Sequence, residues 1–207
     1  MTRKKRKVGI TGGIGSGKTT VCKIFETLGI PVYYADDRAK WLMAHDPALK
    51  ASIVAAFGAE AYRTDGALNR AFLAEAVFGD AAQLKRLNAL VHPAVGRDAE
   101  AWHAQQTGVP YTLKEAALLF ESGSYRRLDK VITVFAPREL RLQRIMRRDG
   151  ARREQVEARM AHQLPEEEKV RRADYVIYND GRAPLIRQAW EIHRILTADA
   201  PQQSSTP

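Results

Sequence analysis

The chain has 207 residues, 45% hydrophobic and 28% charged, enough to bury one sizeable α/β core with small excursions. Its single cysteine, Cys22, excludes an internal disulfide and is compatible with a reducing cytoplasm, and no apolar run approaches the ~18 residues of a membrane span. The formal net charge of +9 invites a nucleic-acid reading, but Arg3, Lys4, Lys5, Arg6 and Lys7 supply five of those charges ahead of the first predicted strand. That run reads as a solvated tail, so no nucleic-acid partner is expected.

A short buried strand is predicted over 8–10, and the basic start leads into it rather than into an apolar h-region, so no signal peptide is expected. Next comes Gly12-Gly13-Ile14-Gly15-Ser16-Gly17-Lys18-Thr19-Thr20, which fits G-x-x-x-x-G-K-[ST]. Glycines let the backbone approach a phosphate closely, and the loop amides and the N-terminus of a helix predicted over 19–28 then face the anion. Lys18 is expected to reach the β- and γ-phosphates of a nucleoside triphosphate, and the Thr19 hydroxyl to hold Mg²⁺. Gly29 reads as a helix C′ residue and 30–34 as a second strand. Asp36 lies just past that strand, where it serves either as proton acceptor or metal-ordering carboxylate, or as an N-cap for a helix starting near Arg38. Asp37 has the better claim to the cap.

Residues 38–106 are rich in Ala and Leu, carry apolar residues at helical spacing and show almost no strand signal, which predicts an inserted helical subdomain. Within it, Thr64-Asp65-Gly66 predicts a turn, Asn69 a helix cap, and Pro93 a helix end or kink at His92. Strands follow over 111–116, 130–135 and 175–178. Between the last two lie a basic helix over 138–148, whose Arg141, Arg144 and Arg148 share one face at i, i+3 and i+7, and a second helix over 153–164. That face is either a solvated helix surface or a flap whose guanidinium groups stabilise a transferring phosphoryl group. Lys114 and Glu115 lie at a strand's end, where either the site or the surface can take them, and Glu121 either meets the acceptor or caps a helix. The three tryptophans, Trp41, Trp102 and Trp190, read as core or helix–helix packing residues. A closing helix is predicted over 183–196 and a disordered tail over 201–207. Alternation of strands and helices argues a three-layer α/β fold built on a parallel sheet.

In order along the chain, Thr11-Gly12-Gly13-Ile14-Gly15-Ser16-Gly17-Lys18-Thr19-Thr20, Ala35-Asp36, Asn88-Ala89-Leu90-Val91-His92-Pro93, Ala117-Leu118-Leu119-Phe120-Glu121, Arg144 with Arg148-Asp149, Arg159 with Gln163, and Ala173-Asp174-Tyr175-Val176-Ile177 before Asn179 resemble the dephospho-CoA kinase family over nearly all of 7–196. The resemblance implies a nucleoside-monophosphate-kinase-like fold with a phosphate-loop core (1–37, 107–137, 173–200), a helical acceptor-binding subdomain (38–106) and a lid (138–172). It implies ATP with Mg²⁺, and transfer of the γ-phosphate to the ribose 3′-hydroxyl of dephospho-CoA. Asp36 falls on the family's base, His92, Leu118 and Glu121 on the acceptor side, Arg144 and Arg148 on the lid arginines, and Asn179 near the adenine. A cytoplasmic monomer or small homo-oligomer without membrane partners is expected. The chain departs from the family pattern where Tyr34 replaces the first carboxylate of Asp-Ala-Asp, Glu115 replaces an aspartate and Ala117 a proline before Leu118, and Thr19 stands for the more frequent serine. A nucleoside or nucleotide kinase of similar architecture is the nearest alternative. A GTP-dependent switch is disfavoured, because the sequence has neither an Asn-Lys-x-Asp nor an Asp-x-x-Gly segment.

Overall fold

The computed structural model describes residues 5–198, so Arg3, Lys4 and the tail over 201–207 lie outside the described residues. Two compact units make up the chain, one formed by 1–33 with 105–207 and the other by 34–104.

The first unit is built on strands β1 (Arg6–Thr11), β2 (Val32–Tyr34), β3 (Tyr111–Glu115), β4 (Lys130–Phe135) and β5 (Tyr175–Tyr178), in the order β2-β3-β1-β4-β5. β1 pairs in parallel with β3 and β4, and β4 with β5. Val8, Ile10, Leu113, Ile132, Val134 and Ile177 are fully buried, as expected of strands covered on both faces. The chain lays β2 and β3 on one side of β1 and then crosses to the other side for β4 and β5. β1 therefore sits where the strand order reverses, the place at which open α/β sheets bind ligands beyond the strands' carboxyl ends. β1 begins earlier than the sequence suggested, so Arg6 and Lys7 belong to a strand and not to a tail. The Lys7 amide donates to Asp129 Oδ2 at 2.7 Å, and the Arg6 guanidinium reaches the Leu196 carbonyl.

Helix α1 (Lys18–Thr27) packs Val21, Cys22 and Phe25 into the core; burial pushes the Cys22 thiol up, and the nearby Glu115 carboxylate adds to it, so this cysteine is inert packing. Helices α6 (Arg138–Asp149), α7 (Arg153–Ala161), α8 (Glu166–Arg172) and α9 (Leu185–Ala198) complete this unit, numbered after the four helices of the second. Leu142 and Ile145 of α6 form a cluster with Val156 of α7, and Ile14 of the glycine loop packs against it.

The second unit contains α2 (Ala35–His45), α3 (Pro47–Phe57), α4 (Arg70–Val77) and α5 (Ala81–Gln105). Asp46 caps α3 through the Ala48 and Leu49 amides, and Asn69 caps α4 through the Phe72 amide, as its position predicted. Gly66, at φ 79°, makes the expected turn, across which Tyr62 bridges to Leu68. A bidentate pair from Arg38 to Asp98, at 2.9 and 2.6 Å, ties α2 to α5.

Three expectations fail here. α5 runs unbroken through Pro93. The proline removes one amide donor and costs about 3 kcal/mol in a helix interior, but Val91 on one side and Ala94 and Val95 on the other are buried, and that packing offsets the cost so that the helix does not end there. α2 starts at Ala35 with Tyr34 at the N-cap, so neither Asp36 nor Asp37 is a cap; both carboxylates lie in the first turn, where the helix dipole favours them. Trp41 and Trp190 are about half exposed rather than core, each stacked on a histidine of its own helix, His45 and His193.

Candidate active site

β1 ends at Thr11 and α1 begins at Lys18, so the glycine loop must reverse the chain in six residues. The Ser16 amide closes the turn on the Gly13 carbonyl at 3.0 Å. Gly17 holds the N-cap of α1 at φ 96° and ψ 22°, a left-handed conformation that a Cβ would strain, and no side chain caps the helix. The first amides of α1 therefore point outward with the positive end of the helix dipole, the physical requirement for binding a polyphosphate. A Cβ on Gly12 would collide with the Val134 carbonyl, and one on Gly13 with Arg141 and Glu166, so the loop lies flat against its surroundings. Lys18 folds over this loop, donating to the Gly12 carbonyl at 2.9 Å. Thr19 and Thr20 are exposed in the first turn of α1.

The helix α6 arginines share a face, but seven residues of helix span about 10 Å of axis, and their surroundings differ accordingly. Arg141 is buried beneath the loop, its Nε on the Ala136 carbonyl at 3.1 Å. Arg144 is half-buried and reaches the loop itself, with Nη1 3.4 Å from the Gly15 carbonyl and Nη2 3.2 Å from both the backbone oxygen and Oδ1 of Asn179. Asn179, just beyond β5, donates in turn from Nδ2 to the Ser16 carbonyl at 2.8 Å. Arg148 points to solvent and pairs with Asp149 at 2.7 Å; this hydrogen bond, with help from Arg159, holds the Asp149 carboxyl below the usual carboxylate range. Arg144 and Asn179 thus meet the loop, and Arg148 does not.

Leu118 is 40% exposed in the turns after β3. Glu121 faces inward, accepting the Leu164 amide at 2.8 Å, and lies 3.4 Å from Lys169 Nζ. Glu115, at the end of β3, is buried. Asp36 and His92 belong to the second unit, Asp36 exposed in the first turn of α2 and His92 exposed on α5. Asp36 makes no side-chain hydrogen bond or ion pair with any described residue, whereas Asp37 is tied to Lys40 at 2.9 Å.

Sequence reasoning assigned no loop contact to three residues, naming Gln163 only within a motif shared with the family and passing over Glu166 and Lys169. Glu166 Oε2 accepts the Gly13 amide at 3.2 Å, Gln163 Oε1 accepts the Ile14 amide at 2.8 Å, and Lys169 is fully buried beside Glu166. Glu166 and Lys169 stand in a run, Glu-Glu-Glu-Lys, that reads as solvated; the proline at 165, which opens helix α8 toward the core, was the available signal.

A parallel sheet with a phosphate loop at the reversal of strand order, and an arginine from a later helix laid on that loop, defines a phosphate-loop enzyme of the phosphotransferase class. The dephospho-CoA kinase family model matches residues 6–184. A dephospho-CoA kinase from Salinibacter ruber is 47% identical over 193 residues, covering 92% of this chain and 97% of the relative. Among solved structures, one from Thermus thermophilus has a TM-score of 0.79 at 36% identity, covering 96% of this chain and 99% of its own. A dephospho-CoA kinase from Campylobacter jejuni has a TM-score of 0.69 at 29% identity, covering 94% and 99%. The chain belongs to the dephospho-CoA kinase family, and it is a kinase.

Proposed function

We propose that this kinase transfers the γ-phosphoryl group of ATP to the ribose 3′-hydroxyl of dephospho-CoA, giving coenzyme A and ADP, the final step of coenzyme A synthesis. The observation that carries the donor half is the uncapped N-terminus of α1 behind Gly17, with Lys18 and Arg144 folded onto the same loop. The acceptor rests on membership of the family.

Phosphoryl transfer asks little covalent chemistry of the protein; it needs alignment, charge neutralisation and exclusion of water. The loop amides that follow Ile14, together with Lys18, bind the polyphosphate. Arg144, steadied by Asn179, stabilises the charge that spreads over the equatorial oxygens, and Arg148 joins it only after exchanging its Asp149 partner. Asp36 takes the proton of the attacking hydroxyl, a role its unpartnered carboxylate supports. His92, Leu118 and the turn leading to Glu121 contribute to the acceptor side.

Mg²⁺ suits a hard oxygen donor, and the Thr19 hydroxyl is one, exposed and without a side-chain hydrogen bond among the described residues. Thr19 would hold the ion together with the phosphates, where the metal neutralises phosphate charge. No helix among the described residues is long and apolar enough to cross a membrane; we assign the reaction to the cytoplasm and the working state to a monomer or small homo-oligomer.

The test is a coupled assay of ADP release with dephospho-CoA, AMP, adenosine and no acceptor. ADP formation with dephospho-CoA alone is expected. A response to AMP or adenosine in its place would shift the acceptor to a nucleotide or nucleoside.

A further inference from the structure

Four charged side chains meet beneath the phosphate loop, drawn from three separate segments of the first unit. Glu166 and Lys169 come from α8, Arg141 from α6 and Glu121 from the turns after β3. Glu166 is 4% exposed and Lys169 0%. The two Glu166 oxygens have different tasks. Oε2 accepts the Gly13 amide at 3.2 Å, while Oε1 lies 3.4 Å from Lys169 Nζ and 4.0 Å from Arg141 Nη1. Lys169 Nζ also lies 3.4 Å from Glu121 Oε1, so one ammonium separates two carboxylates. One residue before Pro165, the Leu164 amide is held by Glu121, and the neighbouring Gln163 holds the Ile14 amide at 2.8 Å.

This placement carries a conflict. Accepting the Gly13 amide is a good way to fix the curvature of the loop, and a charged acceptor does it more strongly than a neutral one. Yet a carboxylate under a polyphosphate site repels the ligand, and burial screens that repulsion little. Lys169 and Arg141 supply the two positive charges that cancel Glu166 and Glu121. Gly13 is what lets them come so near, since a Cβ there would overlap both Arg141 and Glu166.

We propose that Glu166, Gln163 and Lys169 are positioning residues for nucleotide binding. Glu166 and Gln163 fix the Gly13 and Ile14 amides, which turns the amides of the later loop residues toward the phosphates. Lys169 neutralises the carboxylates so that the cradle stays attractive to an anion. Glu121 belongs to this charge-balanced support rather than to the acceptor. The inference rests on the reading of the loop as an ATP site.

The experiment measures equilibrium ATP binding without acceptor, the KM for dephospho-CoA, and thermal unfolding. The proteins are the unaltered chain, Glu166→Ala, Glu166→Gln, Lys169→Met and the double variant Glu166→Gln/Lys169→Met. Glu166→Ala and Lys169→Met are each expected to weaken ATP binding about tenfold, the equivalent of one hydrogen bond to a charged group. Glu166→Gln, which keeps an acceptor for Gly13, should lose less. The double variant should bind ATP more tightly than Lys169→Met, because the repelling carboxylate has gone with its counter-charge. The KM for dephospho-CoA should stay unchanged throughout. Folded Glu166→Ala and Lys169→Met proteins that bind ATP like the unaltered chain would overturn the proposal, as would a double variant no better than Lys169→Met. If Lys169→Met does not fold, Gln163→Ala, at a half-buried position, tests the Ile14 bond by the same titration, and unchanged ATP affinity there is equally fatal. An unaltered chain that itself fails to bind ATP brings down the nucleotide reading first, which separates the two failures.

Discussion

Replacing Arg144 by alanine separates what this side chain does for the fold from what it does for the reaction. Its guanidinium makes three hydrogen bonds, one of 3.4 Å to the Gly15 carbonyl and two of 3.2 Å to Asn179 from a single nitrogen. Bonds this long from a half-exposed group fall at the low end of the usual net contribution, ~0.5–1.5 kcal/mol each, so the total loss of stability is about 1–2 kcal/mol. For a chain of this size that lowers Tm by about 2–8 °C. Starting from a stability of 5–15 kcal/mol, roughly 99% or more of the variant remains folded at 25 °C. Removing a preorganised donor from a transition state costs more, about 2.7–4 kcal/mol, or 10²–10³ in kcat. The coupled ADP-release assay at saturating ATP and dephospho-CoA, run beside a thermal melt, reads both quantities on one preparation. Arg144→Lys should recover part of the rate, since it restores charge without the planar fork. A kcat within threefold of the unaltered enzyme, or a loss no greater than the unfolded fraction explains, would refute the role given to Arg144.

Asp36→Ala should lower turnover by about 10²–10⁴, the span of a general base, with ATP affinity intact; near-normal rates would remove Asp36 from the proton-transfer step. Lys18→Ala should weaken ATP binding and kcat together, because the same ammonium holds the Gly12 carbonyl and meets the phosphates; a change in kcat alone, seen by titration against turnover, would confine it to the transition state. The helices over 138–172 should lose stability in acid. Arg153 holds Glu139, Arg138 holds Glu157, Arg148 holds Asp149 and Arg172 holds Glu168 below the ordinary carboxylate range. Groups whose folded pKa is depressed give their full contribution above the unfolded value and lose it as pH falls through the folded one. Melts between pH 7 and pH 3 should therefore show the decline setting in below about pH 4, and added salt at pH 7 should reduce the same contribution. Stability that rises as pH falls through this range would contradict these pairings.

The phosphate loop was legible in the sequence because its requirements are local. A glycine at a positive φ, a lysine one residue on and a hydroxyl after it must be consecutive, whatever the rest of the chain does. The strands were legible for a similar reason, as short β-branched runs bounded by turn residues, and Asn69 was readable as a cap because a cap needs only its own helix. Pro93 misled because a proline states a local preference while buried neighbours on both sides decide the outcome. Trp41 and Trp190 misled because residue type gives an average burial, not a direction.

The sequence by itself determined the fold class, the order of strands and helices, and the glycine loop on which the proposed donor site is built. Only the tertiary structure sorted Arg141, Arg144 and Arg148, which share one helix face, into a buried counter-charge, a loop contact and an exposed ion pair. It alone turned Glu121 inward and brought Gln163, Glu166 and Lys169 under a loop some 150 residues earlier, as the span of 153 between Gly13 and Glu166 records. The reason is the range of the forces. Backbone conformation and capping are settled within a few residues, whereas the worth of a charge depends on which distant charges and how little water surround it once the chain has closed.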